Sequence, residues 1–230
     1  MSENERITRR GSLLKLGGLV AAAAAGAGAW KTEAEASGSG PAGVASGQIS
    51  CVLTPELTEG PYYIPNERVR RDITEGKPGT PLTLRLTVLD ASTCRAVRNA
   101  AVDIWHCDAL GVYSGVVGNT GTFLRGIQRT NARGVATFKT IYPGWYMGRA
   151  VHIHVKVHIG GNVVHTGQLF FNDTLTDTVY NAAPYNQRGP RDVRDSADSI
   201  YRNGGNKSLL KTTRSGAGYI GTVTMGVHRS

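Results

Sequence analysis

The chain has 230 residues, 40% apolar content, 30 glycines and a formal charge of +9, which is enough for one sizeable core and leans towards β structure. No run of about 18 wholly apolar residues lies in the body of the chain, which argues against a multi-span membrane protein. Its arginines are scattered and form no dense run interleaved with aromatics, so nucleic acid is not an expected partner; a solvated basic surface, able to attract anionic or acidic aromatic material, is.

In chain order, Thr8-Arg9-Arg10-Gly11-Ser12-Leu13-Leu14-Lys15 opens a weakly apolar run to about Ala29, followed by Ala34-Glu35-Ala36 as a small-residue cleavage site. Residues 1–36 are therefore read as a twin-arginine-type export signal, which implies an extracellular or cell-surface destination. Residues 37–48, made mostly of Gly, Ser, Ala and Pro, read as a flexible linker, and 49–230 as one folded domain.

Within that domain the sequence predicts strands at 82–89, 101–105, 134–141, 150–159, 163–171 and 219–227, separated by turn signals such as Pro143-Gly144 and Gly160-Gly161-Asn162. Regularly spaced short strands with turns between them predict an all-β fold, an antiparallel sandwich with long loops. Residues 173–201 are expected to add short helices or irregular cover. No internal repeat is visible.

Along "GRAVHIHVKVHI", His152 and His154 alternate with Ile153 and Val155 and project to one face of a strand, about 7 Å apart at Cα, from where two imidazoles can converge on one ion. That pair alone is weak evidence for a metal, because alternating histidines can be ordinary strand residues making hydrogen bonds. His158 is too far along the strand to join easily, and His106, His165 and His228 are assigned no site role. The three cysteines, Cys51, Cys94 and Cys107, lack the spacing of a zinc knuckle or redox dithiol; an exported protein can keep one disulfide. Spacing does not fix which two pair. Cys51 with Cys94 is preferred, because Cys107 falls in a strand beside the candidate site.

The surrounding text adds to the histidines: "TPELTEGPYY" near the start of the domain, "DIWHCDALGVYSG", and "TIYPGWYMGRAVHIH" leading into the pair. Together these resemble the intradiol ring-cleavage dioxygenases, the secreted branch related to protocatechuate and catechol dioxygenases, from about Cys51 to Val227. The resemblance implies one non-haem Fe(III) per chain, held by Tyr113, Tyr146, His152 and His154, with the four donors meeting at the mouth of the sandwich. It also implies that Arg149 stabilises charge developing on the ring, that Gln168 stands near the iron-bound solvent, and that Thr58, Gly60, Pro61 and Tyr62 wall the substrate pocket. Tyr146 and Arg149 would then act on substrate as well as hold the site. Trp105 and Trp145 are expected in the core or pocket walls.

Chemistry agrees with that donor set. A phenol ionises near 10, so binding as phenolate at neutral pH needs a strong Lewis acid, which suits Fe(III) far better than Mg²⁺ or Ca²⁺. The implied reaction inserts both atoms of O₂ during intradiol cleavage of a small aromatic diol to a cis,cis-muconate-type diacid. Lignin-derived or polymer-associated aromatics are candidate sources of that diol. The helical segment through which intracellular catechol enzymes dimerise has no expected counterpart before Cys51, so the oligomeric state is left open, a homodimer being one option. A secreted sandwich that binds polymer without catalysis is the alternative; the intact donor set and Arg149 speak against it.

Overall fold

Alternation along β1 (Pro81–Asp90) sets the first layer: Leu82, Leu84, Leu86 and Val88 are buried while Arg85 is exposed between them. The computed structural model describes residues 51–116 and 118–229, so the export signal at 1–36 and the linker at 37–48 lie outside the described residues. The remaining strands are β2 (Ala101–Trp105), β3 (Arg125–Arg129), β4 (Val135–Ile141), β5 (His152–Ile159), β6 (Asn162–Phe170), β7 (Lys211–Ser215) and β8 (Gly218–Val227). They form two four-stranded sheets, ordered β4-β1-β8-β7 and β3-β2-β5-β6. Leu84, Leu86 and Phe138 of the first sheet share one core cluster with Ile104, Ile153 and Val155 of the second. Shortening any of these fully buried side chains to Ala is expected to cost about 2–5 kcal/mol.

All six predicted strands are present, with ends shifted by two residues at most. Two further strands, β3 "RGIQR" and β7 "KTTRS", carry at most one apolar residue and close the edges of their sheets. Polar edge strands are a common protection against edge-to-edge pairing, and they carry no alternation to read. The sandwich is not wholly antiparallel: β1 and β8, the first and last strands, pair in parallel, with the rest of the domain as their crossover.

Between β6 and β7 the chain forms α1 (Asp173–Tyr180), capped by the Asn172 side chain, and α2 (Ser199–Arg202), capped by Asp198, with short 3₁₀ turns around them. Among the described residues no helix is long and apolar enough to cross a membrane. Cys51 and Cys94 are joined by a disulfide, and Cys107 is free and buried. Cys107 lies two residues beyond the end of β2 and not within the strand, as had been expected.

Candidate metal centre and active site

β5 divides its side chains between two environments. Ile153, Val155 and Val157 enter the sandwich core, so His152 and His154 project from the opposite, outer face of the second sheet. The site thus sits on a sheet face and not at the mouth between sheets. A covering segment from Thr54 to Asn66 buries it: Leu57 N–H donates to the Thr166 carbonyl at 2.9 Å, and the Tyr63 ring lies 4.8 Å from that of Trp105. Trp105, facing His154 across the β2–β5 ladder, stacks on its imidazole with centroids 4.9 Å apart and planes within 7°.

Both tyrosines come from tight turns knitted together by one carboxylate. Asp108 Oδ1 accepts from the Leu110 and Val112 amides at 2.9 and 3.0 Å, and its Oδ2 pairs with Lys77 Nζ at 2.7 Å. Gly111 sits at φ +81°, where a Cβ would lie 2.3 Å from the Trp145 carbonyl oxygen. Gly144 approaches so closely that its Cβ would be 2.5 Å from the Asp108 and Ala109 carbonyls. The spacing Trp105, Asp108, Gly111, Tyr113 and the run Pro143-Gly144-Trp145-Tyr146 are therefore two halves of one packed unit. It delivers Tyr113 and Tyr146 to the histidines, with ring centroids 5.7 Å apart.

The donors converge. His152 Nε2 lies 3.1 Å from His154 Nε2 and 3.0 Å from Tyr146 Oη. His152 Nδ1 lies 2.7 Å from the Ala150 carbonyl, which can only accept a hydrogen bond, so Nδ1 carries the proton and Nε2 is left with its lone pair pointing inward. Tyr113 Oη is buried and makes no hydrogen bond of acceptable geometry, although Tyr146 is close enough to influence its ionisation. Burial pushes His152 down to about 3, aided by the Arg149 charge, and drives His154 well below its ordinary value. Burial likewise pushes Tyr146 up to about 12, against the pull of Arg149, and Tyr113 well above 10.

Two imidazole nitrogens at contact distance, one orphaned phenol and a second phenol beside them fit a cation and little else. A Lewis acid at their centre would satisfy the inward lone pairs and stabilise the phenolates that burial disfavours. Among the described residues no group of three or more His, Cys, Asp or Glu side chains is placed to hold a metal, so a centre here must draw on tyrosine. That donor set favours a trivalent, oxygen-seeking ion over zinc.

Arg149 stands beside this cluster in a fixed pose. Its Nε donates to Asp198 Oδ2 at 2.8 Å and its Nη2 to Gln168 Oε1 at 2.5 Å. Gln168, opposite His154 in the β5–β6 ladder, donates in turn from Nε2 to the Thr58 carbonyl at 2.9 Å. Thr58 Oγ1 accepts from the Gly60 amide at 3.3 Å, and Gly60, at φ +76°, leaves room only for His154 Cε1, 3.0 Å from where a Cβ would be. Pro61 follows on the exposed side of the cover. Tyr62 packs at 4.5 Å from the Tyr113 ring and 6.2 Å from that of Tyr146.

An open cavity of about 230 Å³ is lined by Tyr62, Tyr113 and Tyr146 together with Val112, Val116 and Asn119. Of the four proposed wall residues only Tyr62 lines it; Thr58 and Gly60 shape the backbone behind the histidines. Two further residues were missed from sequence. Buried Arg125 donates to the Tyr62 carbonyl at 2.7 Å and to the Ser114 carbonyl at 2.8 Å, tying cover to turn, and Asp198 anchors Arg149. His106 is a buried pin between the Cys107 carbonyl and Thr140 Oγ1, and His165 pairs with Glu56.

A family model described as Dioxygenase (Dioxygenase_C) matches residues 58–188, more than half of the chain. The solved structure of an intradiol ring-cleavage dioxygenase from Tetranychus urticae is 34% identical, with a TM-score of 0.74, covering 78% of this chain and 96% of that one. The dioxygenase domain of a dioxygenase carbohydrate-binding protein fusion from Streptomyces sp. SirexAA-E is 32% identical, with a TM-score of 0.59 over 75% of this chain and 96% of that one. A 3-chlorocatechol 1,2-dioxygenase from Rhodococcus opacus 1CP shares the fold at 20% identity, TM-score 0.58, over 82% and 77% of the two chains. No curated protein sequence matches the chain.

Proposed function

The chain belongs to the intradiol ring-cleavage dioxygenases, and from that premise we propose that it is an exported Fe(III) enzyme cleaving small catechols to cis,cis-muconate-type diacids. The carrying observation is the convergence of His154 Nε2 and Tyr146 Oη on His152 Nε2, at 3.1 and 3.0 Å, beside the unpartnered Tyr113 hydroxyl. Tyr113, Tyr146, His152 and His154 would hold the ion. When bound, ferric iron would supply the Lewis acidity that keeps both phenols and the substrate diol ionised and readies the ring for O₂.

The protein's own groups divide the remaining work. Tyr113 is almost fully buried while Tyr146 is partly open to the cavity, so Tyr146 is the phenolate free to move aside. Its Oη, which burial makes reluctant to stay ionised without the ion, would be the base that takes a proton from the incoming diol. Arg149, held on two sides, offers fixed positive charge where negative charge grows on the ring, and fixed charges cost no reorganisation at that moment. The cavity, about 230 Å³, is smaller than the roughly 300–1,000 Å³ of pockets for drug-sized ligands, which suits one ring, including a lignin-derived diol, and not a polymer. Export rests on the twin-arginine leader at 1–36 and fits the disulfide.

Protein isolated with iron tests the reading. A visible tyrosinate-to-Fe(III) band that shifts on adding catechol, with catechol-dependent O₂ uptake, is the expected result. Iron-loaded protein that is colourless, or that consumes no O₂ with catechol, overturns it.

A further inference from the structure

On the opposite side of the sandwich from the proposed metal centre, the outer face of the β4-β1-β8-β7 sheet is, among the described residues, uncovered and one-signed. Thr137, Arg85, Thr222 and Lys211 are successive ladder partners, forming one row straight across all four strands. Arg71 and Arg133 flank that row, and together they line an open groove of about 810 Å³ whose walls contain no carboxylate and no aromatic ring. Every ion pair among the described residues engages other cations, so these four are unneutralised. The hydroxyls of Thr87, Thr137 and Thr224 on the same face make no hydrogen bond within the described protein.

We infer that this face binds a linear acidic polysaccharide of the polyuronate type. Neighbouring strands are about 4.8 Å apart, so Arg85 and Lys211 stand about 10 Å apart along the row. A chain with regularly repeated carboxylates can meet both, and a single small anion cannot. The free threonine hydroxyls between the cations match the sugar hydroxyls of such a chain. The lack of aromatics counts against neutral sugars and single-stranded nucleic acid, both of which rely on stacking. A second copy of this face is disfavoured because it would set the same cations against one another. The catalytic cavity lies on the other sheet, so it stays open while polymer is bound, and the enzyme is held near the material that surrounds its diols.

The test is calorimetric titration of the iron-loaded protein with polygalacturonate oligomers. Binding that weakens about tenfold or more between low and moderate salt, and again in Arg85→Gln/Lys211→Gln, is expected, with catechol turnover unchanged in the variant. Unchanged turnover also shows that the variant is folded. A second variant, Arg71→Gln/Arg133→Gln, alters the flanking segments only and is expected to weaken binding severalfold. No binding by the wild type, binding that survives both variants, or equally tight binding of oligothymidylate would each overturn the inference.

Discussion

The Nε2 atoms of His152 and His154 face each other 3.1 Å apart, and the Nδ1–H of His152 is already engaged as donor to the Ala150 carbonyl. Neither ring can ionise easily: burial opposes charge on both, with the Arg149 charge next for His152, and His152 and then Arg149 next for His154. The pair is built to share a cation. Replacing either by Ala is expected to lower iron affinity by at least about 100-fold, more than changes behind a ligand usually cost. Chelator competition and iron analysis measure this, with far-UV circular dichroism confirming the fold; full iron content in either variant contradicts the assignment.

Tyr113 offers a test that separates function from stability. Its hydroxyl is buried without a good partner, so Tyr113→Phe removes an unsatisfied polar group and leaves the ring packed on Tyr62. The metal-free variant is expected to be at least as stable as the metal-free wild type, by up to about 1 kcal/mol in urea unfolding. Its iron content and visible band are expected to fall sharply. A large loss of apo stability would instead mark Tyr113 as a core residue.

Arg149 and Asp198 are 49 residues apart in sequence and 2.8 Å apart in space. Arg149→Ala is expected to lower kcat by about 10²–10³, the range for losing a preorganised charge-stabilising donor. Asp198→Asn can keep its one carbonyl oxygen for the cap of α2, but its amide nitrogen then faces the Ala150 N–H and the Arg149 guanidinium, all donors, so the guanidinium is freed; about a tenfold loss of kcat is expected, with a stability loss limited to about 1–3 kcal/mol from the orphaned Ala150 amide. Steady-state kinetics on both variants decide between this and a purely structural ion pair, which would show the reverse pattern.

Gly111→Ala probes the turn that carries Tyr113. A left-handed φ costs a non-glycine residue about 1–2 kcal/mol, and the added Cβ would press on the backbone carbonyl of Trp145, which has little room to yield. A total loss of about 2–5 kcal/mol is expected by chemical denaturation. Gly118→Ala, also at positive φ but in open space, is expected to show only the conformational part.

The residues legible from sequence are those whose pattern is local. Alternating Leu82 to Val88 and the His-Ile-His step encode strands through contacts made in their own segment, and the tyrosine turns through glycines at fixed short offsets. β3 and β7 were invisible because an edge strand faces solvent and needs no apolar period. Arg125 and Asp198 were invisible for another reason: each acts on a partner 63 or 49 residues away, and nothing in their own neighbourhood marks them. The side of the sheet that holds the proposed metal ligands also depends on which face of β5 meets β1, a long-range fact.

Asp103 supplies the last prediction. It lies on the outer face of β2, facing Lys156 across the ladder, with Tyr63, Glu67 and Arg125 around it, and its carboxyl is pushed to about 7, first by burial and then by Glu67. Lys156, engaged by Glu59, pulls the other way without cancelling burial. Since the folded value is raised above the ordinary 3.8, folding takes up a proton, so stability falls as pH rises from about 4 to about 7 and is level above that. Asp103→Asn cannot ionise and loses this slope. It is expected to match the wild type near pH 4 and to exceed it near pH 8 by as much as about 4 kcal/mol, while Asp195, also raised to about 7, keeps its own slope in both proteins and cancels from the difference. Urea unfolding across that range reads the difference, and a gap that does not grow with pH would show that Asp103 is already ionised in the folded protein.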